Sequence, residues 1–167
     1  MMVQKFYMQE KVFGFQNEFF IKNELGQDCF VVFSKLFSLA QKHSLLNCQR
    51  QELLSVENKL FSWLPTFYVK QNEQLLLTIK QECTCMSQEL TITGTKNWKV
   101  LGDYFAHDFQ IFENGQVVAR ISKAWFSWGD SFLIEVYYAQ PEYVIAVVMA
   151  IHRIIEQQRR NSSNSMM

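Results

Sequence analysis

The chain has 167 residues, the size of one domain and enough to bury roughly two-thirds of the surface exposed by its unfolded form. Hydrophobic residues make up 49% and aromatics 15%, which excludes an intrinsically disordered chain. Lys plus Arg and Asp plus Glu number 16 each, so the formal charge is zero, and without the basic excess of a nucleic-acid binder no such partner is expected.

The first residues, Met-Met-Val-Gln-Lys-Phe-Tyr, lack the charged region and apolar run of a secretory leader. Four cysteines, Cys29, Cys48, Cys83 and Cys85, are scattered and are read as small buried hydrophobes. Both features predict a cytoplasmic protein with reduced thiols; peripheral attachment to a membrane stays open.

Strand signals dominate the chain as far as residue 138. Runs between turn signals fall at 4–13, 17–23, 28–35, 43–47, 52–61, 66–71, 74–81, 88–93, 97–102, 107–113, 116–123 and 131–138. Alternation is plain in Leu75, Leu77 and Ile79, in Leu90 and Ile92, and in Val117, Ala119 and Ile121, so each run has one inward face. Asn114-Gly115 between two such runs predicts a type I′ hairpin, because both of its central residues need positive φ. The two prolines, Pro65 and Pro141, sit at joints, where a missing N–H does least harm.

A signature recurs every 24 residues through the first half: Lys11-Val12-Phe13-Gly14-Phe15, Lys35-Leu36-Phe37-Ser38-Leu39 and Lys59-Leu60-Phe61-Ser62-Trp63. A partial copy, Lys123-Ala124-Trp125-Phe126-Ser127-Trp128, follows later. Each period holds about two strands and two turns, which reads as a hairpin pair repeated around one closed sheet, with the signature marking the same corner each time. Its phenylalanines are assigned to the barrel wall.

After Pro141 the pattern turns helical. Pro141 suits the first helical position, Glu142 the positive end, and Arg153, Arg159 and Arg160 the negative end of a helix over 141–158. Its run Tyr143–Ile151 is apolar on every face, which predicts burial all round. Nine residues fall well short of the ~20 that span a bilayer, so no transmembrane segment is expected. A barrel of more than about eight strands leaves interior room, and a helix about 10 Å across fills it. The expected fold is therefore mainly β, a closed antiparallel barrel of roughly twelve strands around a buried C-terminal helix. One domain covers 1–158, and 159–167 is a polar, disordered tail.

Several stretches together carry a resemblance: Asp103-Tyr104, Phe109-x-Ile111, Gly115-x-Val117-Val118-Ala119-Arg120-Ile121-Ser122-Lys123, Trp125-Phe126-Ser127-Trp128-Gly129-Asp130, and the terminal apolar helix. Over about residues 3–158 the chain resembles the LURP-one-related family, within the superfamily of the tubby C-terminal domain and the phospholipid scramblases. The resemblance implies a twelve-stranded, tubby-C-like barrel around a hydrophobic helix, and an uncharacterised bacterial member. Relatives in the superfamily point to phosphoinositide binding or membrane-lipid association. This chain lacks the dense basic patch of the tubby lipid site, and it lacks the lipid-modified cysteine segment and inserted tail of a scramblase, so no binding residue is carried over.

Catalytic motifs are absent: no G-x-G-x-x-G, phosphate-cradling loop, G-x-S-x-G or H-E-x-x-H occurs. Cys83-Thr84-Cys85 lacks zinc spacing, neither it nor His43, His107 or His152 makes a metal set, and no cofactor is implied. His152 is read as the polar end of the core helix. His107-Asp108 with Ser127 or Ser131 makes a hydrolase triad only on paper, since a triad is a matter of geometry.

Two function classes remain. The first is a non-enzymatic binding or scaffold domain for a phospholipid head group, a small anion or a protein, with Lys35, Lys59 and Lys123 gathered at one rim as the candidate site. Exposed tryptophans near Lys123 would then anchor it at an interface. The alternative is an enzyme with a surface site near Asp103, His107 and Asp108, against which a filled barrel argues. Nothing in the sequence sets the oligomeric state.

Overall fold

A computed structural model describes residues 2–9, 18–34, 41–83, 88–104, 106–126 and 129–166, those at 125, 126, 129 and 130 by backbone alone. Twelve strands come first: β1 Gln4–Gln9, β2 Glu18–Asn23, β3 Asp28–Ser34, β4 His43–Asn47, β5 Glu52–Asn58, β6 Thr66–Gln71, β7 Gln74–Gln81, β8 Gln88–Gly94, β9 Trp98–Asp103, β10 Asp108–Glu113, β11 Gln116–Phe126 and β12 Gly129–Val136. One helix, α1 Pro141–Asn164, follows. Each strand pairs antiparallel with its chain neighbours, and β1 closes the barrel against β12 from Gln4↔Val136 to Gln9↔Ser131. The expected closed barrel is the fold. Strand ends move slightly: β5 stops at Asn58, and β11 runs on to pair Phe126 with Gly129.

The 24-residue period has a structural counterpart. Register shifts fall at Ile21/Lys22, Leu45/Leu46 and Val69/Lys70, one per period, each just before a turn. In the first two turns an asparagine closes the loop with its side chain: Asn23 Oδ1 accepts from the backbone N–H of Leu25 and Gln27, and Asn47 Oδ1 from those of Gln49 and Gln51. Each bulge adds a residue and tightens the local twist, which helps a sheet curl into closure. The Asn114-Gly115 turn has φ of 51° and 81°, the two positive values that a type I′ hairpin requires.

Alternation sends Phe19, Ile21, Leu45, Phe67, Val69, Leu77, Ile79, Phe109 and Ile111 inward, against a helix buried from Val144 to Ile155. Pro141 opens that helix and Glu142 lies in its first turn, as the residue types predicted. The helix does not end at 158. Residues 159–164 of the expected tail continue it, because no Gly or Pro interrupts them and Ser162 and Ser163 donate back to the carbonyls of Gln158 and Arg159. His152 and Arg153 consequently lie well inside the helix and are buried, rather than marking its polar end. Among the described residues no helix is long and apolar enough to cross a membrane.

The cysteines depart from expectation too. Cys48 and Cys83 are exposed and Cys29 is half-buried, while Cys85 lies outside the described residues. Larger aliphatic and aromatic side chains hold the inner positions, and these thiols fall at strand ends; Cys48 Sγ donates to the Asp28 carbonyl at 3.0 Å.

One inner position must stay empty. Gly102 on β9 faces Phe109 across the β9–β10 pair, and a Cβ there would overlap the Phe109 ring and the Asp108 carbonyl. Gly102→Ala is expected to cost about 1–3 kcal/mol by overpacking. A urea melt with an unchanged midpoint would contradict this account of the site.

Candidate anion-binding site at the barrel mouth

In an all-antiparallel meander the odd-numbered strands run one way, so every odd-to-even connection belongs to one rim. Residues 59–65 and 104–107 are such connections, and β11 delivers Lys123 to the same end. The last turns of α1 emerge there. The opposite rim carries the tight polar turns at Asn23–Gln27, Asn47–Gln51 and Asn114-Gly115.

At the helix-exit rim a cavity of about 590 Å³ opens between barrel wall and helix. Lys123, Arg159 and His107 line it with Tyr104, Ile155, Gln158, Ser162 and Ser163. Alternation explains Lys123: Ala119 and Ile121 point inward, so Lys123 does as well, opposite Phe132. Arg159 enters because the helix continues past 158. The guanidinium reaches His107 Nε2 at 3.5 Å, and since Arg only donates, Nε2 is the acceptor. His107 adopts φ of 53° at the entry to β10, and its ring packs 5.4 Å from that of Phe132.

No carboxylate lines the cavity among the described residues. The Gln158 amide stands beside two permanent cations, while the Ser162 and Ser163 hydroxyls donate to helix carbonyls; the cations suit an anion with several acceptor oxygens. Tyr104, 2% exposed, contributes a buried hydroxyl with no hydrogen-bond partner among the described residues. Burial pushes that phenol up, so it is a donor at any physiological pH.

A polar layer lies deeper. Ser34 Oγ and His43 Nδ1 are 2.7 Å apart inside the wall, and burial, with the Arg153 charge behind it, lowers His43 to about 4. Arg153 donates to Glu156 Oε2 at 2.7 Å. The interior thus changes from wholly apolar around Val144–Ile151 to polar and cationic toward the mouth, a gradient that excludes water from the centre and admits charge at one end.

The structure separates the predicted site residues. Lys123 lines the cavity; Lys59 is exposed on the β5–β6 loop and does not line it; Lys35 lies outside the described residues. Asp103 and Asp108 sit opposite each other on the outer wall, where Arg120 grips Asp108 at 3.0 and 3.3 Å, while His107 lines the cavity. The carboxylates and the imidazole therefore do not converge on one reacting atom. Ser127 lies outside the described residues, and among those described no three His, Cys, Asp or Glu are grouped to hold a metal. A filled barrel argues against a site at its centre, and the cavity lies instead at the helix-exit rim.

A second groove, about 520 Å³, runs along the outer wall between Thr91, Thr93, Leu101 and Phe112. Its one charged lining residue, Lys99, is held by Glu89 at 2.8 Å. That groove has no charge to offer an anion.

The LURP-one-related family model matches residues 4–156, nearly the whole barrel and the buried part of the helix. The chain belongs to the LURP-one-related family. This LURP-one-related chain is 29% identical over 145 residues to the uncharacterised protein YxjI of Bacillus subtilis (strain 168), covering 87% of this chain and 88% of that one. An X-ray structure of an Arabidopsis thaliana protein superposes with a TM-score of 0.66 at 17% identity, covering 92% and 91% of the two chains, a likeness of fold. In this family member the match stops at residue 156, so Arg159, Ser162 and Ser163 lie beyond it. Sequence reasoning missed those residues by assigning them to a tail; the signal available was the lack of any helix breaker before 164.

Proposed function

We propose that this LURP-one-related domain is a non-enzymatic binding module whose mouth cavity takes a phosphate-bearing anion. The cavity carries the reading: Lys123, Arg159 and His107 line one space of ligand size together with Gln158 and Tyr104. Asp103 and Asp108 are turned to the outer wall and do not line this space.

Titration with inorganic phosphate and with glycerol 3-phosphate tests it. Each charged hydrogen bond is worth about 1.5–3 kcal/mol, so Lys123→Gln and Arg159→Gln are each expected to weaken binding tenfold or more. Lys99→Gln, on the outer wall, leaves it unchanged. Affinity falls as salt rises, through screening of the mouth charges. Absence of binding by the wild-type protein at low salt refutes the proposal.

A further inference from the structure

We infer that Cys29 and Cys48 are a reversible redox pair at the rim opposite the mouth, closing to a disulfide by exchange with a low-molecular-weight disulfide of the glutathione class. The β3–β4 ladder pairs Phe30 with Asn47, so one residue further out Cys29 stands opposite Cys48. The turn that begins there keeps Cys48 against β3, since its Sγ donates to the Asp28 carbonyl at 3.0 Å. Cys29 Sγ lies 3.7 Å from the carbonyl of Gln27, the residue before Asp28. Both sulfurs therefore lie along one short stretch of chain.

Directly opposed residues of an antiparallel pair have Cα atoms about 4.5–5.5 Å apart, with side chains on the same face of the sheet. A disulfide spans about 4.4–6.8 Å between Cα atoms, so the register already meets the span of the bond. Closure exchanges two weak S–H···O contacts for a covalent one. The two groups also sense each other: burial, with Cys48 nearby as the second cause, pushes the Cys29 thiol up. Cys83, the third described thiol, ends up elsewhere, following β7, whose ladder partner β8 contains no cysteine.

Exposure orders the steps, because Cys48 is open to solvent and Cys29 is half-buried. The Cys48 thiolate attacks one sulfur of the small disulfide, forming a mixed disulfide and expelling one thiolate. The Cys29 thiolate then attacks Cys48 Sγ, forming the Cys29–Cys48 bond and expelling the second thiolate. The protein gives up two electrons and two protons; the reagent takes up both and leaves as two thiols. The new bond ties β3 to β4 across their hairpin and restricts the unfolded chain, so the oxidised form resists heat better than the reduced one. None of the residues that line the mouth cavity takes part, and the inference stands apart from the phosphate reading.

Incubation of the full chain with oxidised glutathione at neutral pH, then alkylation of the remaining thiols and mass spectrometry of proteolytic peptides, tests it. A peptide joining Cys29 to Cys48 is expected to outnumber the glutathione adducts at these positions by about tenfold or more, because the neighbouring thiol competes at high effective concentration. Dithiothreitol restores both thiols. In Cys29→Ser the second thiol is gone, so glutathione stays on Cys48. The oxidised wild type melts above the reduced form, a gain that Cys48→Ser lacks. Glutathione adducts on Cys29 and Cys48 without a joining peptide overturn the inference, as does a link from either to Cys83 or Cys85, or no modification of either thiol. A Cys48–Cys48 link between two chains, seen as a dimer on a non-reducing gel, in place of the internal link also overturns it.

Discussion

Val147→Asp leaves no folded protein at neutral pH, whereas Val147→Ala folds and melts cooperatively. Val147 is completely buried, flanked on the helix by Ala146 and Val148, which are buried as well, so no face of α1 can turn a carboxylate to water. A carboxyl group buried this deeply stays protonated, and taking up that proton at pH 7 from an ordinary value near 3.9 costs about 4 kcal/mol. Losing the valine's own burial adds about 1.5–3 kcal/mol. Together these reach the range of about 5–15 kcal/mol that a typical domain holds in reserve. Alanine removes only methyl groups and costs roughly 1–3 kcal/mol. Ile151→Asp behaves like Val147→Asp for the same reason. Circular dichroism melts of the purified variants decide it: soluble, cooperatively melting Val147→Asp would mean that the helix does not fill the barrel.

Acidification from pH 7 to pH 4 removes about 3 kcal/mol of stability through His43 alone. In the unfolded chain this imidazole titrates near 6.5, and in the folded chain burial and the Arg153 charge lower it to about 4. Above 6.5 both states are neutral and the full stability is present. Between 6.5 and 4 only the unfolded state takes up the proton, so stability falls as pH falls; below 4 this group adds no further loss. A difference of about 2.5 pKa units at 1.36 kcal/mol each, less the half-titration at pH 4, gives that figure. Urea melts at pH 7 and pH 4 of wild type and His43→Gln check it, the amide keeping an acceptor for the Ser34 hydroxyl 2.7 Å away. Wild type loses about 3 kcal/mol more than the variant; equal losses would place the acid sensitivity elsewhere.

Much of the architecture was legible because its causes are local. Alternation at Leu77 and Ile79 or at Leu90 and Ile92 needs only the two-residue pleat, and the Asn114-Gly115 turn needs only two residues that tolerate positive φ. A nine-residue apolar run opened by Pro141 has one physical destination in a β-rich chain. The candidate site was legible at Lys123 and, under the enzyme alternative, at His107. Lys59 shares the signature of Lys123 but lies past the end of β5, where the chain has left the wall, so the same motif faces a cavity in one copy and solvent in the other.

The amino-acid sequence by itself determined the strands, the buried helix, the period of 24 and, through them, the closed barrel, since each follows from the spacing of side chains along a chain of known geometry. Tertiary structure alone decided which residues meet at the mouth. Tyr104, His107, Lys123 and Arg159 are as much as 55 residues apart in the chain, and they share a cavity only because closure of the sheet and the exit of the helix set them at one rim. The same closure decided that Phe61, a phenylalanine of the repeat expected in the wall, stands in water: the inner positions were already filled by neighbours of the wall, and the hydrogen bonds of Ser62 and Thr66 to the Leu64 carbonyl hold the loop outward.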